Sequence, residues 1–225
     1  MTSRPILFSR PMVQAILAGE KTQTRRPIAH PFFVIGERDD GSPWPLAPQM
    51  DEGDGTAPWI ACPYGRPGDR LWVREAFSPR DSNGDACRID EAAYAVLSDG
   101  TQVHRDGVVV PALGEYAPGA FDGIKWRPSI HMPRWASRIE LEVVGVRVER
   151  LHSISDADIL AEGVTIELAA ELVGMPRAFV GNSFDAWRLL WTAINGDASW
   201  DRNPWVWVVE FRWRRRSKAE RRDGR

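Results

Sequence analysis

Apolar residues recur along this chain at two spacings, every second position and every third or fourth, and each spacing predicts a kind of element. Ile6-Leu7-Phe8-Ser9 reads as a short strand. Met12, Ile16 and Leu17 share one side of a helix that opens at Pro11 and stops at Gly19. Glu20 to Pro27 is polar; Thr and Arg can hold it extended, but apolar alternation is missing. After the turn signal Pro67-Gly68-Asp69, Leu71, Val73 and Phe77 alternate as on a half-buried strand. Ile139, Leu141 and Val143 alternate with charged residues, and the apolar set then shifts to Val144, Val146 and Val148. A register change with Gly145 at the break predicts a β-bulge, which bends a strand.

Ser155-Asp156-Ala157-Asp158 has the form of a capping box, with Ile154 and Ile159 placed as a hydrophobic staple, and the short helix it starts runs to Glu162 and closes at Gly163. A longer helix from Ser183 carries Phe184, Trp187, Leu190, Trp191 and Ile194 at helical spacing, with Gly196 past its end. The clearest strand is Trp205 to Trp213, where Trp205, Trp207, Val209, Phe211 and Trp213 share a face. Strands outnumber helices and return at uneven intervals, which predicts an α+β fold with a curved, mostly antiparallel sheet.

Two stretches lack such patterning. Residues 30–61 turn to Gly, Pro and Asp, and 78–125 are irregular apart from Tyr94-Ala95-Val96-Leu97 and Thr101-Gln102-Val103, which flank Ser98-Asp99-Gly100 as an inserted hairpin. Both sit between core elements and read as insertions into a single domain spanning 1–213. The remainder, 214–225, is a basic tail expected to be disordered. Arg212 to Arg225 holds eight basic residues against Glu220 and Asp223, so a net charge of −2 for the whole chain hides a terminal run of +6. Such a run binds phosphates by counterion release or is simply solvated.

Cys62 and Cys87 are the two cysteines, with no C-x-x-C pair, and His30, His104, His131 and His152 are scattered. Neither a disulfide framework nor a metal site is expected. No nucleophile elbow, phosphate-binding loop or dinucleotide fingerprint occurs, so no cofactor is expected either. The first residues are broken by Arg4, Pro5 and Arg10, and no run of about 18 apolar residues exists, which predicts a cytoplasmic protein without a membrane partner.

Three features carry chemistry. Lys21-Thr22-Gln23-Thr24-Arg25-Arg26 sets three cations in six residues after a helix stop, a positive field suited to phosphate or an anionic transition state. Glu162 stands at a helix C-terminus, where the macrodipole favours a cation. Eleven tryptophans are present, most on apolar faces that suit a core; Trp72 is the candidate for stacking on a base.

Three blocks together resemble the ASCH family: Ala18-Gly19-Glu20-Lys21-Thr22-Gln23-Thr24-Arg25-Arg26, Pro67-Gly68-Asp69-Arg70-Leu71-Trp72-Val73, and Ala161-Glu162-Gly163 after a long strand. The stretch Trp126 to Arg138 and the closing Asn203-Pro204-Trp205-Val206-Trp207 are similar to the larger phage and prophage versions. The resemblance covers roughly Pro5 to Pro27, Tyr64 to Phe77 and Trp126 to Phe211. It implies a PUA-like β-barrel with flanking helices and two loop insertions, and a nucleoside or RNA ligand. Some small bacterial members remove the acyl group from N4-acetylcytidine with a lysine, a threonine and a glutamate. Matched by motif, those roles fall on Lys21, Thr24 and Glu162, with Arg25 and Arg26 as cationic ligand-binding neighbours.

The implied chemistry is coherent. A threonine hydroxyl becomes a nucleophile when a base takes its proton, and a lysine serves as that base only when partly neutral near pH 7. Burial and the neighbouring arginines push Lys21 in that direction. In a fully extended strand Lys21 and Thr24 would face opposite sides, so Lys21 must lie ahead of the strand. The insertions make the chain about twice as long as those enzymes. An amidohydrolase, a non-catalytic RNA or modified-base binding module, and an interaction protein of a mobile element all remain open.

Overall fold

The computed structural model describes residues 1–47, 58–112 and 124–214. In chain order they form β1 (Ser3–Leu7), α1 (Arg10–Ala18), β2 (Gln23–Pro27), β3 (Val34–Glu37), β4 (Pro43–Leu46), β5 (Arg70–Arg74), β6 (Phe77–Arg80), β7 (Tyr94–Leu97), β8 (Gln102–His104) and β9 (Val109–Val110). There follow β10 (Glu140–Arg150), α2 (Asp156–Ala161), α3 (Ile166–Val173), α4 (Ser183–Asn195), α5 (Ala198–Asp201) and β11 (Trp205–Arg214). The fold is α+β, and the chain divides into two compact units, 1–14 with 70–142 and 213–225, and 15–69 with 143–212.

In the first unit β1 lies parallel to β5, with Ser3 opposite Arg70 and Leu7 opposite Arg74. The first residues of β10 add to the other edge of β5, antiparallel. Leu71, Trp72 and Val73 are all buried, so β5 is covered on both faces rather than half-buried. The strand also ends before Phe77. Glu75, just past its end, accepts two hydrogen bonds of 3.0 Å from the Arg138 guanidinium. Phe77 instead opens β6, the edge of a sheet ordered β6-β7-β8-β9. The expected hairpin is present as β7–β8, with Gly100 at φ +86° in its turn. Phe77, Ala95, Leu97, Val103, Met132 and Ala136 form its apolar core, so 78–125 contributes an ordered small sheet and not only loop; residues 113–123 lie outside the described part.

In the second unit β2 pairs antiparallel with β11, Thr24 opposite Val209 and Arg25 opposite Val208, and β11 neighbours β10. Residues Val206 to Val209 are buried on both faces. The inward set of β10 moves from Leu141 and Val143 to Val148, but of the set expected to face inward Val144 is exposed and Val146 only half-buried, so the change of phase is complete only at Val148. Helix α4 buries Ala186, Trp187, Leu190 and Trp191 and packs on α2, α3 and α5, while Phe184 and Ile194 are left exposed. The stretch 30–61 carries the hairpin β3–β4, Val34 opposite Leu46, stabilised where Trp44 sets its ring edge-on to Trp207 at 5.0 Å. Residues 48–57 and the basic tail from 215 lie outside the described part. No helix among the described residues is long and apolar enough to cross a membrane.

Candidate functional site

The site is assembled in the second unit from the turn ahead of β2, the strand itself, β10 and α2. Helix α1 stops at Gly19 (φ +80°), and the next amides, Glu20 and Lys21, both donate to the Ala15 carbonyl, at 2.9 and 3.1 Å. Lys21 therefore precedes the strand, as the alternation argument requires. It meets Glu162 in an isolated antiparallel bridge, reinforced by the Thr22 amide donating to the Ala161 carbonyl at 2.8 Å.

Glu162 owes its position to α2. Ser155 caps that helix by accepting from the Asp158 amide, Glu162 is the C-cap, and Gly163 at φ +69° ends it. A β-carbon on Gly163 would lie 2.9 Å from the Lys21 β-carbon and 3.0 Å from that of Ala15. Glycine is thus required twice, by backbone conformation and by the close passage of the lysine.

Lys21 Nζ donates to the Glu162 carbonyl at 2.7 Å and to its Oε2 at 2.9 Å, with both side chains almost fully enclosed. The cation lies on the last carbonyl of α2, so the glutamate that offends the helix dipole brings the lysine that satisfies it. Burial pushes the Lys21 ammonium below its ordinary range; Glu162 opposes this, and Arg26 and Arg25 add to it.

Arg25 extends the cluster. Its side chain is fully enclosed, with Nη1 3.4 Å from Glu162 Oε1 and Nη2 2.9 Å from both Glu149 Oε2 and Asp158 Oδ2. Arg147 then ties Glu149 at 2.5 Å, Asp158 at 3.1 Å, Gln23 Oε1 at 3.2 Å, and Glu210. Desolvation would raise the Asp158 carboxyl, but Arg25 and Arg147 outweigh it and hold the group below its usual range. The arrangement is a buried ion-pair network in which Glu162 joins Lys21 to Arg25, and Glu149 and Asp158 join Arg25 to Arg147.

Lys21, Arg25 and Glu162 are thus brought together. Thr24 is buried in β2, where alternation turns it and Arg26 away from the face of Gln23 and Arg25. Arg26 is near enough to act on both Lys21 and the half-buried Tyr64, whose hydroxyl burial pushes up. Trp72 belongs to the first unit, buried in β5, with the Arg74 and Arg134 guanidinium carbons 4.6 and 5.6 Å from its ring centre.

Arg147, Glu149, Asp158 and Gln23 were not singled out by sequence. Their signal was present: Arg147 and Glu149 share one face of β10, and Asp158 looked fully explained as a capping residue. Among the described residues no three metal-ligating side chains cluster, and neither Cys62 nor Cys87 is in a disulfide. Compared with known proteins, the chain matches no family model, no curated protein and no solved structure.

Proposed function

We propose that this chain is a PUA-like protein of the ASCH kind that recognises a nucleoside and hydrolyses the acyl amide of N4-acetylcytidine-type substrates. The observation that carries the reading is the enclosed Lys21–Glu162 pair, its ammonium held 2.9 Å from the carboxylate while burial lowers its pKa against the pull of Glu162. The resemblance of the lysine-threonine block and of Ala161-Glu162-Gly163 to such enzymes supports it. In this reading Lys21 takes the Thr24 proton, Thr24 Oγ bonds to the acyl carbon, and Arg26 steadies the oxyanion. The C–N bond then breaks as the departing amine takes the proton from Lys21, oriented by Glu162. That departing amine is cytidine; water then cleaves the acyl-threonine, releasing the acid and restoring the Thr24 hydroxyl.

One feature favours a second reading, a binding module without turnover: strand alternation turns Thr24 to the face of β2 away from Arg25, while Lys21 Nζ donates to Glu162. Incubation with N4-acetylcytidine, followed chromatographically, separates the two. The expected result is release of cytidine that is abolished in Thr24→Ala and reduced by roughly 100-fold or more in Lys21→Arg, because an arginine stays protonated and cannot act as base. Glu162→Gln is expected to be milder. The rate should rise with pH through a lysine limb lying below the ordinary 10.5. Saturable binding without turnover on any acylated nucleoside would leave the second reading standing.

A further inference from the structure

A cavity of about 530 Å³ in the second unit is lined by β3–β4, the second half of β10, Ser153 and Trp205. Two arginines reach it in the same posture. The Arg38 guanidinium carbon lies 3.3 Å from the centre of the Trp44 ring, and that of Arg150 lies 4.6 Å from the centre of the Trp205 ring. A guanidinium laid on an indole keeps its in-plane N–H donors free for an anion. Arg150 gives one of them to the Asn203 carbonyl at 3.0 Å, and among the described residues neither arginine has a carboxylate at ion-pair distance.

The other charges of the lining are engaged. Arg147 is shared among Glu149, Asp158 and Glu210, and Glu149 is shared between Arg147 and Arg25. Asp40 accepts from the Ser42 amide and hydroxyl. This leaves two guanidinium groups against one carboxylate. The walls are otherwise planar and apolar: Trp205 half-buried, and Trp44 anchored by its Nε1 donating to the Ile60 carbonyl at 2.9 Å. The volume lies within the range of small-molecule sites, about 300–1,000 Å³. A planar aromatic ring bearing an anionic group fits this combination of stacking surface and forked cations better than a purely apolar or a cationic ligand.

We propose that this cavity is a nucleotide-binding site, taking a base against the guanidinium-capped Trp205 indole and a phosphate on the free edges of Arg38 and Arg150. It is separate from the Lys21–Glu162 pair and requires no chemistry there. The nucleotide is either free or part of a single strand, and the test distinguishes the two sources.

Titration calorimetry on the full chain with the four nucleoside 5′-monophosphates, their nucleosides and pentauridylate is the experiment, with tryptophan fluorescence as a second readout. At least one monophosphate should saturate the protein and bind about 10-fold or more tighter than its nucleoside, with Arg150→Gln and Arg38→Gln each removing roughly that factor. Trp205→Leu should weaken nucleotide and nucleoside alike, by roughly 5-fold or more. Arg150 is exposed, so Arg150→Gln preserves the fold and decides the matter if Trp205→Leu proves unstable in a thermal melt. Pentauridylate binding at least 10-fold more tightly than the monomer, with a steep salt dependence, identifies a strand as the source; equal affinity identifies the free nucleotide. The proposal is overturned if no monophosphate and no pentanucleotide saturates. It is equally overturned if Arg150→Gln and Arg38→Gln leave affinity unchanged, or if Lys125→Gln, an exposed cation of the first unit, weakens binding as much as they do.

Discussion

At the residue scale the governing fact is that Lys21 is enclosed with its charge partner, Glu162, 141 residues away along the chain. Removing one member of such a pair leaves the other charged and buried, which typically costs about 3–5 kcal/mol, whereas removing both is far milder. Lys21→Met should therefore lower stability by roughly 3 kcal/mol, and Lys21→Met with Glu162→Leu should lose less than the two single changes together. Denaturant melts of all four proteins measure this coupling. The pH dependence has a definite sign. The folded-state pKa of Lys21 lies below its unfolded value of 10.5, so between the two the unfolded chain holds a proton that the folded chain has lost. Stability contributed at this position rises with pH across that window. The difference between wild type and Lys21→Met should grow in favour of wild type as pH is raised toward 10.5.

At the element scale, helices close on side chains chosen for the purpose. Asn182 accepts from the Asp185 amide at the start of α4, and Thr165 accepts from the Leu168 amide at the start of α3. Helix α3 was not anticipated from sequence. Its eight residues are shorter than two full heptads, and only Ala169 and Ala170 are buried, so it presents no long apolar stripe to read. It is stabilised by its cap, by Gly174 at φ +65°, and by packing on α4. Asn182→Ala should cost about 1 kcal/mol, and Thr165→Ala a similar amount, both read from the midpoint of urea unfolding. Strand β10 was legible as a strand with a change of phase. The role of its charged face was not, because Arg147 and Glu149 find partners on β2, α2 and β11.

At the scale of the whole molecule, carboxylates held by arginines in both units set the acid limit. Desolvation of Asp158 is outweighed by Arg25 and Arg147, and desolvation of Asp99 by Arg138, so both carboxyls titrate below the ordinary 3.8. A depressed folded-state pKa gives stability that is present above the unfolded value and lost as pH falls through the folded one. Asp158→Asn should be less stable than wild type at pH 7, and the gap should close as pH drops below about 3.8, followed by thermal melts across the acid range.

The sequence by itself determined the elements whose signals are local: α1 with its stop at Gly19, the cap and glycine end of α2, the tryptophan-bearing face of α4, the β7–β8 turn and the apolar run of β11. These follow from spacing, caps and turn residues within a dozen positions, where chain geometry leaves few choices. It also marked Lys21, Arg25 and Glu162 as unusual, since charged residues sat where no apolar pattern or helix dipole accounted for them. Only the tertiary structure decided what they do to one another. Long-range pairing of β2 with β11, and the bridge from Lys21 to α2, bury charges that composition would assign to solvent, and burial is what shifts a lysine and fixes a carboxylate. The same holds for the β3–β4 hairpin. Its Gly, Pro and Asp content reads as loop, yet packing of Trp44 against Trp207 orders it and, with β10, encloses a cavity that no local pattern announces.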